Sequence, residues 1–277
     1  MASGRLLVCA TPIGNLGDIS GRLRNALADA DVVFAEDTRR TAKLLSHLDV
    51  RVGLVSLFAG NEQRRTQQLV GDVASGKTVV LVSDAGMPTV SDPGASAVRA
   101  VREAGYPVTV IPGPSAATTA LALSGFGGNR FVFEGFLPRR GAERTRRLEE
   151  IGSERRTVIL FASPNRLPND LEDLKAACGP IREVAVMREL TKVHEETWVG
   201  SLESAVERWP DPVKGEVTLA LGPIEPELPS DDEAISSARR LVARGSTVSD
   251  AAKQVSDETG VSRRTVYEAL LDDQDSS

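Results

Sequence analysis

Short apolar runs rich in β-branched residues recur along the first part of the chain at 5–10, 32–35, 52–56, 78–82 and 108–111. Between them lie helix-like stretches at 19–28, 38–47, 61–75 and 95–104. Runs this short, bounded by Gly, Pro, Asn and Asp, read as strands. Their alternation with helices predicts parallel strands joined by crossover helices, an α/β layer.

After a turn-rich stretch at 125–129 the strand pattern resumes at 131–134, 157–161, 183–187, 195–199 and 216–221. The connection through 191–194 is too short to hold a crossover helix, so this second sheet is expected to contain antiparallel pairing. The Pro- and acid-rich residues 223–233 read as a linker, followed by a helical tail to residue 271 and a frayed end from 272. The fold class is thus α/β, with a parallel-sheet domain at 1–118, a mixed-sheet domain at 119–224, and a linker with a small helical extension at 225–277. Within the extension, 248–253 and 260–267 look like a helix-turn-helix, with Ser249 or Asp250 near the first start and Ser262 as the second cap.

Composition narrows the classes. A chain of 277 residues with 41% hydrophobic and 26% charged residues has the balance of an ordinary globular protein. The apolar run before Thr11-Pro12 is too short for a signal-peptide core or a membrane span, so a cytoplasmic protein with no membrane partner is expected. Cys9 and Cys178 are far apart, as are His47 and His194, so neither a structural disulfide nor a metal site is expected. The net charge of -6 argues against nucleic-acid binding by the whole surface and leaves room for a local basic patch.

The candidate chemistry sits in loops that leave strand carboxyl ends: 11–18 after the first strand, 83–94 after the fourth and 111–117 after the fifth. In open α/β sheets ligands bind beyond those ends. Glycine admits close backbone approach, while proline removes donors and leaves carbonyls to line the wall, which suits a positively charged ligand. Ser115 could cap the helix that follows it. Any one such loop is equally a tight connection that needs Gly and Pro for geometry alone. Three at one sheet edge point to a ligand. No dinucleotide-type glycine fingerprint, phosphate-binding P-loop or nucleophile elbow occurs.

The segments ATPIGNLGD (10–18), EDTR (36–39), SDAGMPTVSDPG (83–94), PGPSA (112–116), GFLP (135–138), RELTK (188–192) and HEE (194–196) together resemble the tetrapyrrole methylase family of S-adenosylmethionine-dependent enzymes. Within it they are most similar to a branch that acts on small-subunit ribosomal RNA, over nearly the whole chain. The resemblance implies a cofactor cleft between two α/β domains, a homodimer, and 2'-O-methylation of a cytidine ribose in the decoding region of 16S ribosomal RNA, with the RNA held within the small ribosomal subunit. It carries cofactor contacts to Pro12, to Asp84, Ala85, Gly86, Met87 and Val90, to Ser115 and Ala116, and to Ala162 and Leu190. One departure is visible: the branch often has glutamate and histidine where this chain has Ala162 and Asn165.

Methyl transfer from a sulfonium to a hydroxyl is an in-line displacement with an already activated donor, so positioning should dominate. A base, or a cation that stabilises developing alkoxide, would help. Glu36, Arg39 and Lys192 are the catalytic candidates, with Asp37, Asp84, His194 and Glu196 as further polar groups. Arg39 and Lys192 could instead hold phosphates, Asp37 could cap the helix beginning near Thr38, and His194 could be an exposed loop residue.

Arg139, Arg140, Arg144, Arg146 and Arg147 place five guanidinium groups within nine residues, the strongest RNA footprint in the chain. Glu143, Glu149 and Glu150 offer the plainer reading of a salt-bridged, solvated helix. Arg263 and Arg264 in the tail could also meet phosphate, although nearby acidic residues favour a docking or RNA-orienting role. Two rivals stay open: a methyltransferase acting on a tetrapyrrole precursor, and a ligand-responsive DNA-binding regulator that uses the tail.

Overall fold

In the computed structural model, which describes residues 4–127, 129–224 and 230–275, the five early apolar runs are strands: β1 (Arg5–Cys9), β2 (Val32–Ala35), β3 (Gly53–Ser56), β4 (Thr78–Val82) and β5 (Val108–Ile111). Helices α1 (Gly21–Ala28), α2 (Thr38–His47), α3 (Glu62–Ala74) and α4 (Ala95–Glu103) alternate with them. All pairings are parallel, in the order β3-β2-β4-β1-β5. The strands read as continuous apolar runs because helices cover both faces. Leu7, Cys9, Val33 and Val80 pack with α1 and α2, and Leu6, Val8, Phe34 and Leu81 pack with α3 and α4.

The strand order explains where a crevice opens. From β1 the chain moves toward β2, and from neighbouring β4 it moves the other way, toward β5. Their crossover helices therefore lie on opposite faces, and the two loops part beyond the strand carboxyl ends. At their roots the loops are tied together: Thr11 and Gly86 exchange two backbone hydrogen bonds of 2.9 and 3.0 Å.

Helix α5 (Ala116–Ser124) follows β5 and packs Ala117 and Ala120 against the second sheet, so the expected boundary at 118/119 falls inside a helix. That sheet contains β6 (Phe131–Phe136), β7 (Thr157–Ala162), β8 (Glu183–Arg188), β9 (Glu196–Ser201) and β10 (Val217–Leu221), in the order β6-β7-β10-β8-β9. β6 and β7 are parallel and the other three pairings antiparallel, as the short β8 to β9 connection requires. Helices α6 (Ala142–Ser153), α7 (Leu167–Cys178) and α8 (Leu202–Arg208) cover one face with Ile151, Leu171, Leu174 and Leu202. Because β10 runs against β7 and β8, its first residue lies beside their last ones: Val217 is opposite both Ala162 and Arg188.

A bulge at Glu134 interrupts β6, where the register with β7 shifts between Phe133 and Gly135. Gly135 takes φ 66, and a Cβ there would stand 2.9 Å from Ser91 Oγ, so both the backbone and the space call for glycine. The extra residue reverses side-chain parity beyond it. Phe133 and Phe136, which unbroken alternation would place on opposite faces, both meet the ring of Phe161, with centroids 5.0 and 5.5 Å away.

Residues 1–224 form one compact unit and 225–277 a second. The second holds α9 (Asp231–Ala243), α10 (Val248–Thr259) and α11 (Arg263–Asp275) around Ala234, Ala238, Ala252, Val255 and Val266. Three expectations are corrected here. Asp231, Asp232 and Glu233, read as linker, form the first turn of α9, where Ser230 and Glu233 make a reciprocal capping box and acidic groups favour the helix dipole. Of the supposed linker, residues 225–229 lie outside the described residues. The cap of α10 is Thr247, whose hydroxyl accepts from the Asp250 N–H, in place of Ser249 or Asp250. The end expected to fray from 272 is helical through Asp275, while 276–277 lie outside the described residues. Among the described residues no helix is long and apolar enough to cross a membrane.

Candidate active site

The carboxyl edge of the parallel sheet and the β6, β7, β8 edge of the second sheet enclose a cavity of about 350 Å³. The 83–94 loop contributes Ala85, Gly86, Met87, Val90, Ser91 and Asp92. Ile13 comes from the first loop, and Ser115 and Ala116 from the third. The second sheet adds Phe136, Phe161, Ala162, Leu190 and the first residues of β10, Val217 and Thr218.

The walls are strained in two places. In the 83–94 loop Gly86, Thr89, Ser91 and Gly94 have φ of 76, 73, 64 and 118. Glu189 and Thr191, with φ of 51 and 68, bracket the wall residue Leu190. For β-branched Thr89 and Thr191 this backbone is unfavourable, and such positions concentrate at ligand clamps. Ser115 occupies the N-cap position of α5, yet its side chain makes no cap hydrogen bond. The expected capping role is thereby corrected: Ser115 lines the cavity.

Eight of the expected cofactor contacts, Ala85, Gly86, Met87, Val90, Ser115, Ala116, Ala162 and Leu190, therefore meet along one wall system. Pro12 does not reach it; its neighbour Ile13 does. Asp84 also lies outside the lining. Its carboxylate accepts from the Asp37 N–H at 2.9 Å and faces Arg40 at 3.5 Å. Ser91 and Asp92 belong to the same motif and could have been found there. Phe136 and Thr218 could not, since only the bulge in β6 and the antiparallel register of β10 bring them in. At the departure from the branch pattern, Ala162 is a buried wall residue and Asn165 is exposed.

The three catalytic candidates separate. Arg39 turns outward, its side chain 87% exposed, and clasps Asp37 through Nε and Nη2 at 3.0 and 2.7 Å. Asp37 caps α2 by accepting from the Arg39 N–H, and the Arg39 guanidinium holds its carboxyl well below the usual range. Lys192 is spanned by Glu189 Oε1 at 2.7 Å and Glu216 Oε2 at 2.9 Å. It lines, with Gly14, Asn15 and an exposed His194, a separate open groove rather than the cavity. Glu36 stays near the cavity: burial, then the neighbouring Asp84, raises its carboxyl above the ordinary value.

Asp92 is the carboxylate that the sequence did not single out. Burial, then the charges of Glu36 and Asp84, pushes it up to about 6 against a hydrogen bond with Ser83. A folded-state value above the ordinary 3.8 stabilises the protein below that pH and loses the contribution as pH rises through the folded value. Asp92→Asn, which stays neutral, is therefore expected to gain thermal stability relative to the native protein between about pH 4 and about pH 6. Parallel melting curves for the two proteins across that window would sink this assignment.

The arginine cluster divides as well. Arg144 is buried, its guanidinium held by Asp170, Asp173 and the Pro138 carbonyl at 2.7, 2.8 and 2.8 Å. This corrects its expected role in binding RNA. Arg146 pairs with Glu150 and Arg147 with Glu134, both at 2.9 Å. In the tail, Arg263 donates to Ser249 and Arg264 to Glu268. Arg139 and Arg140 are exposed and have no ion-pair partner among the described residues, directly after the β6 end that carries Phe136.

Residues 5–206 match the profile of the Tetrapyrrole (Corrin/Porphyrin) Methylases, and 229–274 that of the RsmI C-terminal HTH domain. Ribosomal RNA small subunit methyltransferase I of Mycobacterium tuberculosis (strain ATCC 25618 / H37Rv) is 47% identical over 98% of this chain and 96% of its own. The protein of the same name from Synechocystis sp. (strain ATCC 27184 / PCC 6803 / Kazusa) is 41% identical over 97% and 98%. Among solved structures, uroporphyrin-III C-methyltransferase from Thermus thermophilus complexed with S-adenyl homocysteine shares the fold, with a TM-score of 0.57 and 17% identity over 80% of this chain and 98% of that one. Loop motifs, two-sheet architecture and near full-length identity agree, and the chain belongs to the tetrapyrrole methylase family, in its ribosomal RNA small subunit methyltransferase I branch.

Proposed function

We propose that this protein transfers the methyl group of S-adenosylmethionine to the 2'-hydroxyl of a cytidine ribose in the decoding region of 16S ribosomal RNA. It acts in the cytoplasm as a homodimer on the small ribosomal subunit. The observation that carries the reading is the cavity of about 350 Å³ whose wall residue Phe136 is followed, three and four residues along, by two exposed arginines with no ion-pair partner among the described residues. A donor-sized pocket with cations close by in the chain suits an acceptor presented on a phosphate backbone. The name that the relatives share supplies the ribosomal RNA.

The residues divide the work. Ala85, Gly86, Ser115, Ala116, Ala162 and Leu190 hold the donor against walls too small and too stiff to let it shift. Bound S-adenosylmethionine supplies an activated methyl group. The carboxyl of Asp92 sits in the wall of the same cavity, where it can favour the cationic donor or accept a hydroxyl proton. Arg139 and Arg140 hold backbone phosphates.

Purified protein incubated with methyl-labelled S-adenosylmethionine and small subunits that lack their native modifications is expected to label one cytidine ribose, mapped by mass spectrometry. Absence of label despite donor binding would favour a tetrapyrrole substrate. Replacing both Arg139 and Arg140 with alanine is expected to weaken RNA binding and to reduce the slope of log affinity against log salt by about two, with donor affinity unchanged. An unaltered slope would remove these arginines from the interface.

A further inference from the structure

Phe136 is 58% exposed, although it follows a buried glycine and closes a strand whose preceding residues are partly buried. The bulge at Glu134 brings it to the cavity, where it rests on Phe161 at 5.5 Å, ring planes 60° apart, and Phe161 is braced in turn by Phe133 at 5.0 Å. One aromatic surface is thus backed by two others and lies at the rim, and the unpaired Arg139 and Arg140 follow within four residues. A flat apolar face next to free cations is complementary to one kind of partner: a base still attached to its sugar-phosphate strand.

We infer that Phe136 is the stacking platform for the base of the nucleotide being methylated, with Arg139 and Arg140 holding the adjoining phosphates. This rests on the RNA 2'-O-methyltransferase reading and specifies how its substrate is gripped. The chemistry of the acceptor supports the placement. The base is bonded to C1', next to the carbon that carries the 2'-hydroxyl, so a hydroxyl brought to the donor in the cavity leaves its base one ring's width away, at the rim. To reach that position the base must leave its own stack, and an aromatic face replaces the stacking it gives up. Stacking tolerates any base, so the platform contributes grip and orientation rather than choice of sequence.

The test measures methyl transfer to the RNA substrate with donor saturating, together with donor affinity by calorimetry, for the native protein, Phe136→Ala, Phe136→Leu and Phe136→Tyr. F136A and F136L are expected to raise KM for RNA about tenfold or more, F136Y to stay near native, and donor affinity to remain within about twofold throughout. An RNA that lacks the base at the target nucleotide should cost the native enzyme as much as F136A does, with no further loss when the two changes are combined. Full activity in F136L, loss of donor affinity at unchanged RNA KM, or additive losses with the abasic RNA would each overturn the inference. A native enzyme that methylates no RNA would instead remove the reading beneath it.

Discussion

Ala116→Trp is expected to abolish measurable donor binding while leaving the fold intact. Ala116 is the first residue of α5, half-buried, and its side chain lines the cavity of about 350 Å³. An indole there fills space that a donor would need. Ala116 is only partly buried at the edge of the cluster that holds Ala117 and Ala120, so the ring has the cavity as its open side. Pockets that bury most of a ligand have little slack, so a drop in donor affinity of about 100-fold or more is expected. Ala116→Ser, which adds one small atom, should bind normally. Calorimetric titration with donor and with demethylated product, beside a melting curve, decides the matter. Native-like donor affinity in A116W would move the donor elsewhere, with the open groove beside Lys192 as the next place to look.

The largest loss of stability is expected from Arg144→Ala. Arg144 and Asp170 have side chains only 9% and 6% exposed, and their link joins α6 to α7. Removing the guanidinium leaves the Asp170 carboxylate buried, with Arg166 at 3.6 Å as its remaining ion-pair partner among the described residues. Breaking one side of a buried pair costs about 3–5 kcal/mol, and the Arg166 contact argues for the lower end. For a unit of this size about 3 kcal/mol corresponds to a melting temperature roughly 6–12 °C lower. Because the penalty comes from an orphaned charge, the double variant Arg144→Met, Asp170→Leu should recover most of it. Urea denaturation of both variants separates the two causes: a double variant no better than R144A would show that the lost packing, not the stranded carboxylate, dominates.

What could be read in advance and what could not follow from how far apart the interacting residues lie. The β-branched runs of β1 to β5 and the glycine and proline of the 83–94 loop act locally, and their periodicity and turn chemistry are written in consecutive residues. The antiparallel β8 to β9 hairpin was legible for the same reason, from a connection too short for anything else. Phe136 was not, since a single bulged residue decides which way it faces and nothing in the run FVFEGF marks Glu134 as the extra one. Nor was the fate of Arg144, whose carboxylate partners lie 26 and 29 residues further along on another helix. Asp92 stood in plain view inside a recognised motif. Its distinction, a carboxyl held above its ordinary range by burial and then by the charges of Glu36 and Asp84, needs the packing of β2 beside β4 to exist at all.

The bond from Arg144 to the Pro138 carbonyl has a practical bearing on how this protein is dissected. Pro138 immediately precedes Arg139 and Arg140, so the two free guanidinium groups spring from a point fastened to the interior. Holding them in place beforehand spares the ordering cost that a slack segment would meet on each encounter with a strand. An alanine scan scored by catalytic output alone would consequently mark position 144 as a contact to nucleic acid, although its side chain never leaves the core. Scanning at two temperatures exposes the artefact: the part of the defect at 144 that comes from lost stability should shrink on cooling, as the folded fraction recovers, whereas the defects at 139 and 140 should persist.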